Sequence, residues 1–150
     1  MGWSSFEEVI DFAIEKEIGA IALYEGASKI AKRPEAKAMF KEFASEERKH
    51  RKMLEGISKK AVAKYTIKNI PDMKISDYLV DIEFSPDMRY NEILILAMKR
   101  EGKSTELYND LASRSDDPEI KKLFQVLAQE ETKHKLRLET EYDEYVLTEN

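Results

Sequence analysis

Two copies of the pattern Glu-x-x-His are the part of this 150-residue sequence best suited to chemistry: Glu47-x-x-His50 and Glu131-x-x-His134. Residues three apart on a helix lie one turn apart on the same face, so each pair sets a carboxylate beside an imidazole. Carboxylate oxygens and imidazole nitrogens are ligands that iron and manganese accept in proteins. The sequence holds only two histidines, and both have this spacing. The pattern therefore predicts a metal site.

The sequence is also a repeat of itself. Shifting it by 84 residues aligns Glu17 with Glu101 and superimposes the two Glu-x-x-His patterns, with 16 identities in the 50 positions from 6 to 55. Such self-similarity indicates one structural unit used twice. We predict two copies of a helical hairpin, which together form an antiparallel four-helix bundle.

Turn signals divide the chain into the helices that must carry these residues. Ser4 and Ser5 are each followed three residues later by Glu, and Pro34, Ser85-Pro86 and Asp117-Pro118 are typical helix starts. They predict a single all-α domain over 1–150, with helices over 5–31, 34–62, 86–114 and 118–146. The first hairpin repeat covers about 5–62 and the second about 86–146. The segment between them, about 66–85, is long enough to cross the bundle from end to end and to contain a short helix.

Each predicted helix carries an apolar stripe at steps of four and three residues, and one carboxylate interrupts each stripe near its middle. Glu17 and Glu47 lie about 15 residues on either side of the first turn, and Glu101 and Glu131 about 15 on either side of the second, so antiparallel hairpins place all four at one level. Burying an unpaired carboxylate costs several kcal/mol. We therefore expect cations among them.

Tyr24 and Tyr108 occupy the same stripes, seven residues after Glu17 and Glu101. We interpret their hydroxyls as hydrogen-bond partners that orient the ligands. The alternative is that both rings are ordinary core residues. Trp3, Met39 and Met53 are interpreted as packing residues.

Composition excludes several classes of protein. Charged residues make up 37% of the chain and hydrophobic residues 42%, and cysteine is absent, so disulfide scaffolds and thiolate metal centres are excluded. The net charge of −5 gives nucleic acid no general electrostatic attraction. No stretch approaches the ~18 apolar residues of a membrane span, and the N-terminus lacks a signal-peptide pattern. We expect a cytoplasmic protein that binds neither nucleic acid nor membrane.

The six residues Glu17, Glu47, His50, Glu101, Glu131 and His134 resemble the ligand set of the ferritin-like di-iron carboxylate proteins. Within that class, the segments 13–24 and 40–50 are most similar to the rubrerythrin family. This sequence contains no four-cysteine rubredoxin domain, and Ser104 stands where rubrerythrins have a further Glu. The protein side of the site is therefore symmetric.

The resemblance implies two Fe ions, with Mn as the other possible metal. It also implies that Glu47 and Glu131 bridge the two ions, that Glu17 and Glu101 are terminal ligands, and that each histidine binds one ion. The implied activity is reduction of hydrogen peroxide or dioxygen with electrons from a separate donor protein.

Other functions remain open at this point. The same site would suit a ferroxidase that handles iron, a di-manganese catalase, or a metal staple with only a structural role. A site that has lost its metal is a further alternative. We expect a homodimer, and the long connection permits hairpin exchange between its chains.

Overall fold

The computed structural model describes residues 5–61, 73–80 and 82–149, without the side chains of 58–61 and 149. Two parts of the sequence discussed above lie outside the described residues: the connection residues 62–72 and 81, and the N-terminal Trp3 and Ser4. Within these residues the four predicted long helices are confirmed, and a short 3₁₀ helix lies in the connection. They are α1 (Phe6–Ile30), α2 (Pro34–Ala61), the 3₁₀ helix (Ile75–Asp77), α3 (Tyr90–Arg114) and α4 (Pro118–Glu149).

Side-chain caps begin two of these helices where the sequence predicts them. The backbone N–H of Glu8 donates to Ser5 Oγ at 3.3 Å at the start of α1. At the start of α4, the N–H groups of Glu119 and Ile120 both donate to Asp117 Oδ1 at 3.0 Å. Each cap satisfies N–H groups that have no partner inside the helix, and such a cap stabilises a helix by ~1 kcal/mol.

The third helix begins later than predicted. Ser85-Pro86 starts a turn rather than a helix, because the N–H of Met88 bonds back to the Ser85 carbonyl at 3.1 Å. Helix α3 starts at Tyr90, where the Glu92 carboxylate accepts the N–H of Arg89 at 3.0 Å. The predicted helix start at Ser85-Pro86 is therefore wrong, because Pro is common both in turns and in the first turn of a helix.

Contacts across the bundle give the directions of the helices. Tyr24 of α1 bonds to Glu101 of α3, and Tyr108 of α3 bonds to Glu17 of α1. Position numbers therefore rise along α1 while they fall along α3, so these two helices are antiparallel. Because α1 and α2 also form a hairpin, the chain between α2 and α3 must travel the length of the bundle.

The described parts of this connection lie along that path. Met73 and Tyr78 are buried in one apolar cluster, with the first turns of α1 and the last turns of α3. Val80 and Phe84 pack on a second cluster, which includes the last turns of α1 and the first turns of α3. The connection thus spans from one end of the core to the other.

The two apolar clusters lie on either side of a polar layer at mid-height. Fully buried residues such as Leu107 and Phe124 fill the first cluster, and Leu23 and Phe40 fill the second. Each such side chain contributes about 1.5–3 kcal/mol through burial. This apolar packing on both sides offsets the cost of burying the charged residues between the clusters.

Candidate metal centre

The polar layer consists of the six residues that the sequence singles out. All are buried, with at most 2% of each exposed, and each lies near the middle of its helix. They are Glu17 on α1, Glu47 and His50 on α2, Glu101 on α3, and Glu131 and His134 on α4. The stripe periodicity brings them inward because each occupies a position that an apolar residue would otherwise fill.

The six side chains form two overlapping groups. One contains Glu17 and His50, the other contains Glu101 and His134, and both include Glu47 and Glu131. Within each group, one ligand atom from every residue lies within 4.8 Å of the others. This is the geometry of two adjacent cation positions that share two carboxylates.

Each histidine directs the same ring nitrogen into the centre. His50 Nδ1 lies 2.8 Å from Glu131 Oε1 and 3.3 Å from Glu47 Oε1. His134 Nδ1 lies 3.2 Å from Glu47 Oε1 and 3.6 Å from Glu101 Oε2. The ring of His134 stacks on Phe43, with 4.1 Å between ring centroids.

The inward atoms lack hydrogen bonds, which is the test of whether a metal fits. Among the described residues, the buried side-chain atoms without a hydrogen-bond partner include seven from this centre. They are Glu17 Oε2, both oxygens of Glu47, Glu101 Oε2, Glu131 Oε1 and Nδ1 of both histidines. Buried polar atoms are normally satisfied. Oxygens and nitrogens converging in this way suit a metal such as iron or manganese.

The pKa values of the shared carboxylates also favour a bound cation. Burial, together with the charges of Glu17 and Glu101, holds the pKa of Glu47 well above its usual value. Burial and the charges of Glu101 and Glu47 likewise raise the pKa of Glu131. The two shared carboxylates are therefore the groups whose ionisation costs most without a cation.

The other groups respond to their immediate neighbours. Burial raises the pKa of Glu17, but its contacts with His50, Glu47 and Tyr108 together leave the pKa below its usual value. Burial lowers the pKa of His134, whereas the carboxylates of Glu101, Glu131 and Glu46 together raise it to about 9. His50 is shifted upward in the same way, with Glu131 as the main opposing influence to burial. The surrounding carboxylates thus raise the pKa of both histidines despite their burial.

The two tyrosines contact the carboxylates across the bundle. Tyr24 donates its hydroxyl hydrogen bond to Glu101 Oε1, and Tyr108 donates to Glu17 Oε1 at 2.5 Å. Both rings are fully buried. Each tyrosine therefore contacts the carboxylate of the other hairpin. One oxygen of each carboxylate is held by the hydroxyl, which leaves Oε2 facing the centre.

Two further carboxylates at the edge of the layer were not predicted from the sequence. Glu130 Oε2 lies within hydrogen-bond distance of His50 Nε2, and Glu46 Oε2 has the same relation to His134 Nε2. They lie one residue outside the apolar stripes, where a Glu is normally a surface residue. The signal that could have identified them is the repeat, which superimposes Glu46-Glu47 on Glu130-Glu131.

A cleft between α2 and α4 reaches this edge of the layer from the surface. Its volume is about 280 Å³, and its lining includes Glu46, Glu130 and His50. Lys49 and Lys133 also line it. A small molecule in this cleft would therefore lie beside a histidine of the centre.

None of the helices in the described part of the chain is both long and apolar enough to cross a membrane. The up-down-down-up bundle, with carboxylates and histidines buried at mid-height, defines the class as ferritin-like. The Rubrerythrin family model matches residues 8–142, and the chain belongs to this family.

Solved structures share the fold. A protein from Thermotoga maritima, provisionally described as a ferritin-like diiron-carboxylate protein, superimposes with a TM-score of 0.81 at 20% identity, over 97% of this chain and 99% of its own. A hypothetical protein from Pyrococcus furiosus gives a TM-score of 0.76 at 27% identity, covering 93% of this chain and 89% of its own.

A two-domain protein from Anabaena variabilis, with DJ-1/ThiJ/PfpI-like and ferritin-like domains, gives a TM-score of 0.65 at 16% identity. This match covers 96% of the present chain and 41% of that protein. No curated protein matches the sequence.

Proposed function

We propose that this chain is a non-haem di-iron oxidoreductase that reduces hydrogen peroxide or dioxygen with electrons from a separate donor protein. The observation that carries the proposal is the convergence of seven buried atoms without hydrogen bonds on two adjacent cation positions. Membership of the Rubrerythrin family supports iron as the metal.

We propose a role for each residue of the layer. Glu47 and Glu131 belong to both groups and would bridge the two ions. Glu17 and His50 would complete one position, and Glu101 and His134 the other. When bound, two ferrous ions would supply the two electrons that reduce one hydrogen peroxide to two water molecules with uptake of two protons.

The rest of the chain would control access and geometry. The apolar clusters exclude bulk water from both sides of the layer, which strengthens the electrostatic interactions inside it. The Tyr24 and Tyr108 hydroxyls fix the rotation of Glu101 and Glu17. The cleft between α2 and α4, with a volume of about 280 Å³, would give peroxide or dioxygen a route to His50.

Anaerobic loading with Fe²⁺ followed by rapid mixing tests the reaction. We expect ferrous iron to be oxidised within the mixing experiment by peroxide, by dioxygen or by both, with the ferric absorption proportional to bound iron. Glu131→Ala serves as the control because it removes a shared ligand and should abolish the fast phase. If neither oxidant reacted with the loaded protein, the proposed function would be wrong.

A ferroxidase is the second candidate, with iron as its substrate rather than its resident cofactor. The half-exposed carboxylates of Glu46 and Glu130 at the mouth of the cleft favour it, because they would attract Fe²⁺ from solution. Repeated additions of Fe²⁺ in air distinguish the two functions. A ferroxidase would oxidise many ions per chain without an electron donor, whereas the oxidoreductase would stop after the bound pair.

A further inference from the structure

A surface groove runs along the outer side of α3, beside the metal layer. Its volume is about 600 Å³, and its lining comes from the connection, from α3 and from Lys135 of α4. Gly102 in this lining directly follows the ligand residue Glu101, and Lys135 directly follows His134. The groove therefore lies level with the layer, at a distance of about one helix diameter, or ~10 Å.

Lysines give the groove a positive charge. Lys99, Lys103 and Lys135 line it together with one acidic residue, Glu106, so these four side chains carry an excess of two positive charges. Glu106 Oε2 lies 3.6 Å from Lys103 Nζ. A Cβ at Gly102 would lie 4.0 Å from Lys135 Nζ, so this ammonium group lies close to the backbone of α3. This basic surface contrasts with the net charge of −5 of the whole chain.

Apolar side chains share the groove with the lysines. Leu79 is 48% exposed and Ile82 is 45% exposed, and both line the groove beside Met98. In the described part of the chain, they are two of the four large apolar side chains that are exposed. Apolar side chains combined with charges are typical of surfaces that bind another protein.

The internal repeat shows that these charges belong to the second hairpin. A shift of 84 residues aligns the three lysines, in order, with Glu15, Gly19 and Arg51. The same shift aligns identical metal ligands in the two hairpins. The ligand set is thus complete in the first hairpin without this group of lysines, which indicates that the lysines serve a purpose other than holding the ligands.

We propose that this groove is the docking surface for the electron donor, and that the donor is an acidic protein that carries one electron at a time, such as an iron–sulfur protein. The inference rests on the proposed function and adds the location and the charge of its partner. In each encounter the donor is oxidised by one electron and one ferric ion of the layer is reduced to the ferrous state. Two encounters restore the pair that one hydrogen peroxide oxidises.

The groove is separate from the cleft between α2 and α4. Lys135 lines the groove and Lys133 lines the cleft. Side chains two residues apart on a helix point about 200° apart. A donor docked in the groove would therefore leave the cleft open to the oxidant.

Binding of an acidic probe tests the surface without iron in the centre. The probe is an oxidised plant-type ferredoxin, titrated into the ¹⁵N-labelled protein at an ionic strength of about 0.1 M, where charges are screened over ~10 Å. We expect the amide signals of Lys99, Gly102 and Lys103 to shift or broaden. Calorimetry should show an affinity that falls as salt is added, because the attraction is electrostatic.

Reversing the charge of the groove should weaken binding. The triple variant Lys99→Glu, Lys103→Glu and Lys135→Glu should bind ferredoxin about 10–100-fold more weakly, since like charges then face each other. The matched control carries the same change in net charge on exposed lysines outside the groove: Lys41→Glu, Lys121→Glu and Lys122→Glu. It should lose no more than about threefold in affinity, because these charges are screened from the partner.

Circular dichroism compares the helix content of both triple variants with that of the unaltered protein. If the groove variant has lost helix, the double variant Lys99→Gln and Lys103→Gln removes two charges with a smaller disturbance and should still bind ferredoxin about threefold more weakly or worse. Ile82→Ser tests the apolar part of the groove. It should lower the affinity and leave its salt dependence unchanged.

Rapid mixing of reduced ferredoxin with the ferric protein tests the transfer of the electron. We expect the second-order rate constant to fall about 10–1000-fold in the groove variant, the range over which surface fields change association rates. The control variant should transfer electrons at close to the unaltered rate.

The outcomes separate this inference from the proposed function. Equal ferredoxin binding by the two triple variants, signal changes on another face, or no binding by the unaltered protein would overturn the docking surface and leave the metal centre intact. A dimer in sedimentation that the groove variant breaks would also overturn it, because a second copy of this chain would then occupy the groove. Docking of ferredoxin on a protein whose iron reacts with neither oxidant would overturn the proposed function and leave a surface that binds acidic proteins.

Discussion

Tyr24 on α1 donates its hydroxyl hydrogen bond to Glu101 on α3, across the interface between the two hairpins. Its repeat counterpart Tyr108 makes the same bond in the opposite direction, to Glu17. Because burial and the neighbouring carboxylate charges raise the pKa of both tyrosines, their hydroxyls keep their protons and act as donors. The polar layer therefore joins the hairpins as well as offering ligands.

Removing either hydroxyl tests this connection. We expect Tyr24→Phe and Tyr108→Phe each to lower the free energy of unfolding by about 1–3 kcal/mol, because a buried carboxylate loses its donor. Urea unfolding followed by circular dichroism measures the change. Tyr142→Phe, at a half-buried position of α4, is the control and should have little effect. Equal stability of all three variants would contradict the connection.

Metal stoichiometry tests the shared carboxylates. Glu47→Ala and Glu131→Ala should each reduce binding at both positions, since both groups contain these residues. His50→Ala should weaken mainly one position and leave close to one ion per chain. Elemental analysis after dialysis against Fe²⁺ without oxygen gives the count. Equal metal loss from the His50 and Glu131 variants would rule out the assignment of bridging and terminal ligands.

The dependence of stability on pH should differ between the metal-free and metal-loaded protein. Raised pKa values of Glu47 and Glu131 contribute stability below their usual value of 4.5 and lose it as pH rises through the folded values. The raised pKa of His134 acts in the same direction, and its contribution disappears as pH rises from 6.5 towards 9. The lowered pKa of Glu17 has the opposite effect: it contributes stability above pH 4.5, and this contribution is lost as pH falls.

Metal requires ionised carboxylates and neutral histidines, so its contribution has the opposite sign. We therefore expect the gain in Tm on adding metal to grow between about pH 5 and pH 8. This range lies above the reference pKa of Glu and below the raised pKa of His134. Scanning calorimetry of both forms provides the difference. The Tm of the metal-free Glu131→Gln variant should depend less on pH than that of the unaltered protein. A gain that stays constant over this range would mean that the carboxylates are not coupled in this way.

Substitution of two glycines tests whether the segment between α2 and α3 packs on α1. A Cβ at Gly26 would stand 2.5 Å from Phe84 Cζ, whereas a Cβ at Gly56 would meet nothing within 4 Å. Gly56→Ala should stabilise the protein by about 0.5–1 kcal/mol through helix propensity alone. Gly26→Ala should destabilise it by about 1–3 kcal/mol, because the Phe84 ring must move. Similar stabilisation by both substitutions would show that the connection does not pack on α1 at Phe84.

Periodicity explains why so much of the core could be predicted. The steps of four and three residues identify the buried face of each helix, and the six polar residues within those stripes lie where the pattern places them. The start of α3 could not be predicted, because Ser85-Pro86 suits a turn as well as a helix. Glu46 and Glu130 could not be predicted from stripes either, since their contacts depend on how the two hairpins face each other.

The repeat superimposes the two halves of the centre, yet their surroundings have diverged. Phe43 stacks on His134, but its repeat counterpart is Leu127, and the pair Ala20 and Ser104 differs in the same way. A duplicated hairpin starts with two equivalent metal positions, and each such substitution makes them less alike. An aromatic ring against one imidazole and an aliphatic side chain at the corresponding place would give the two proposed metal positions surroundings of different polarity. If the centre holds two irons as proposed, we expect their reduction potentials to differ, so that a mixed-valence pair would hold its extra electron on one particular side.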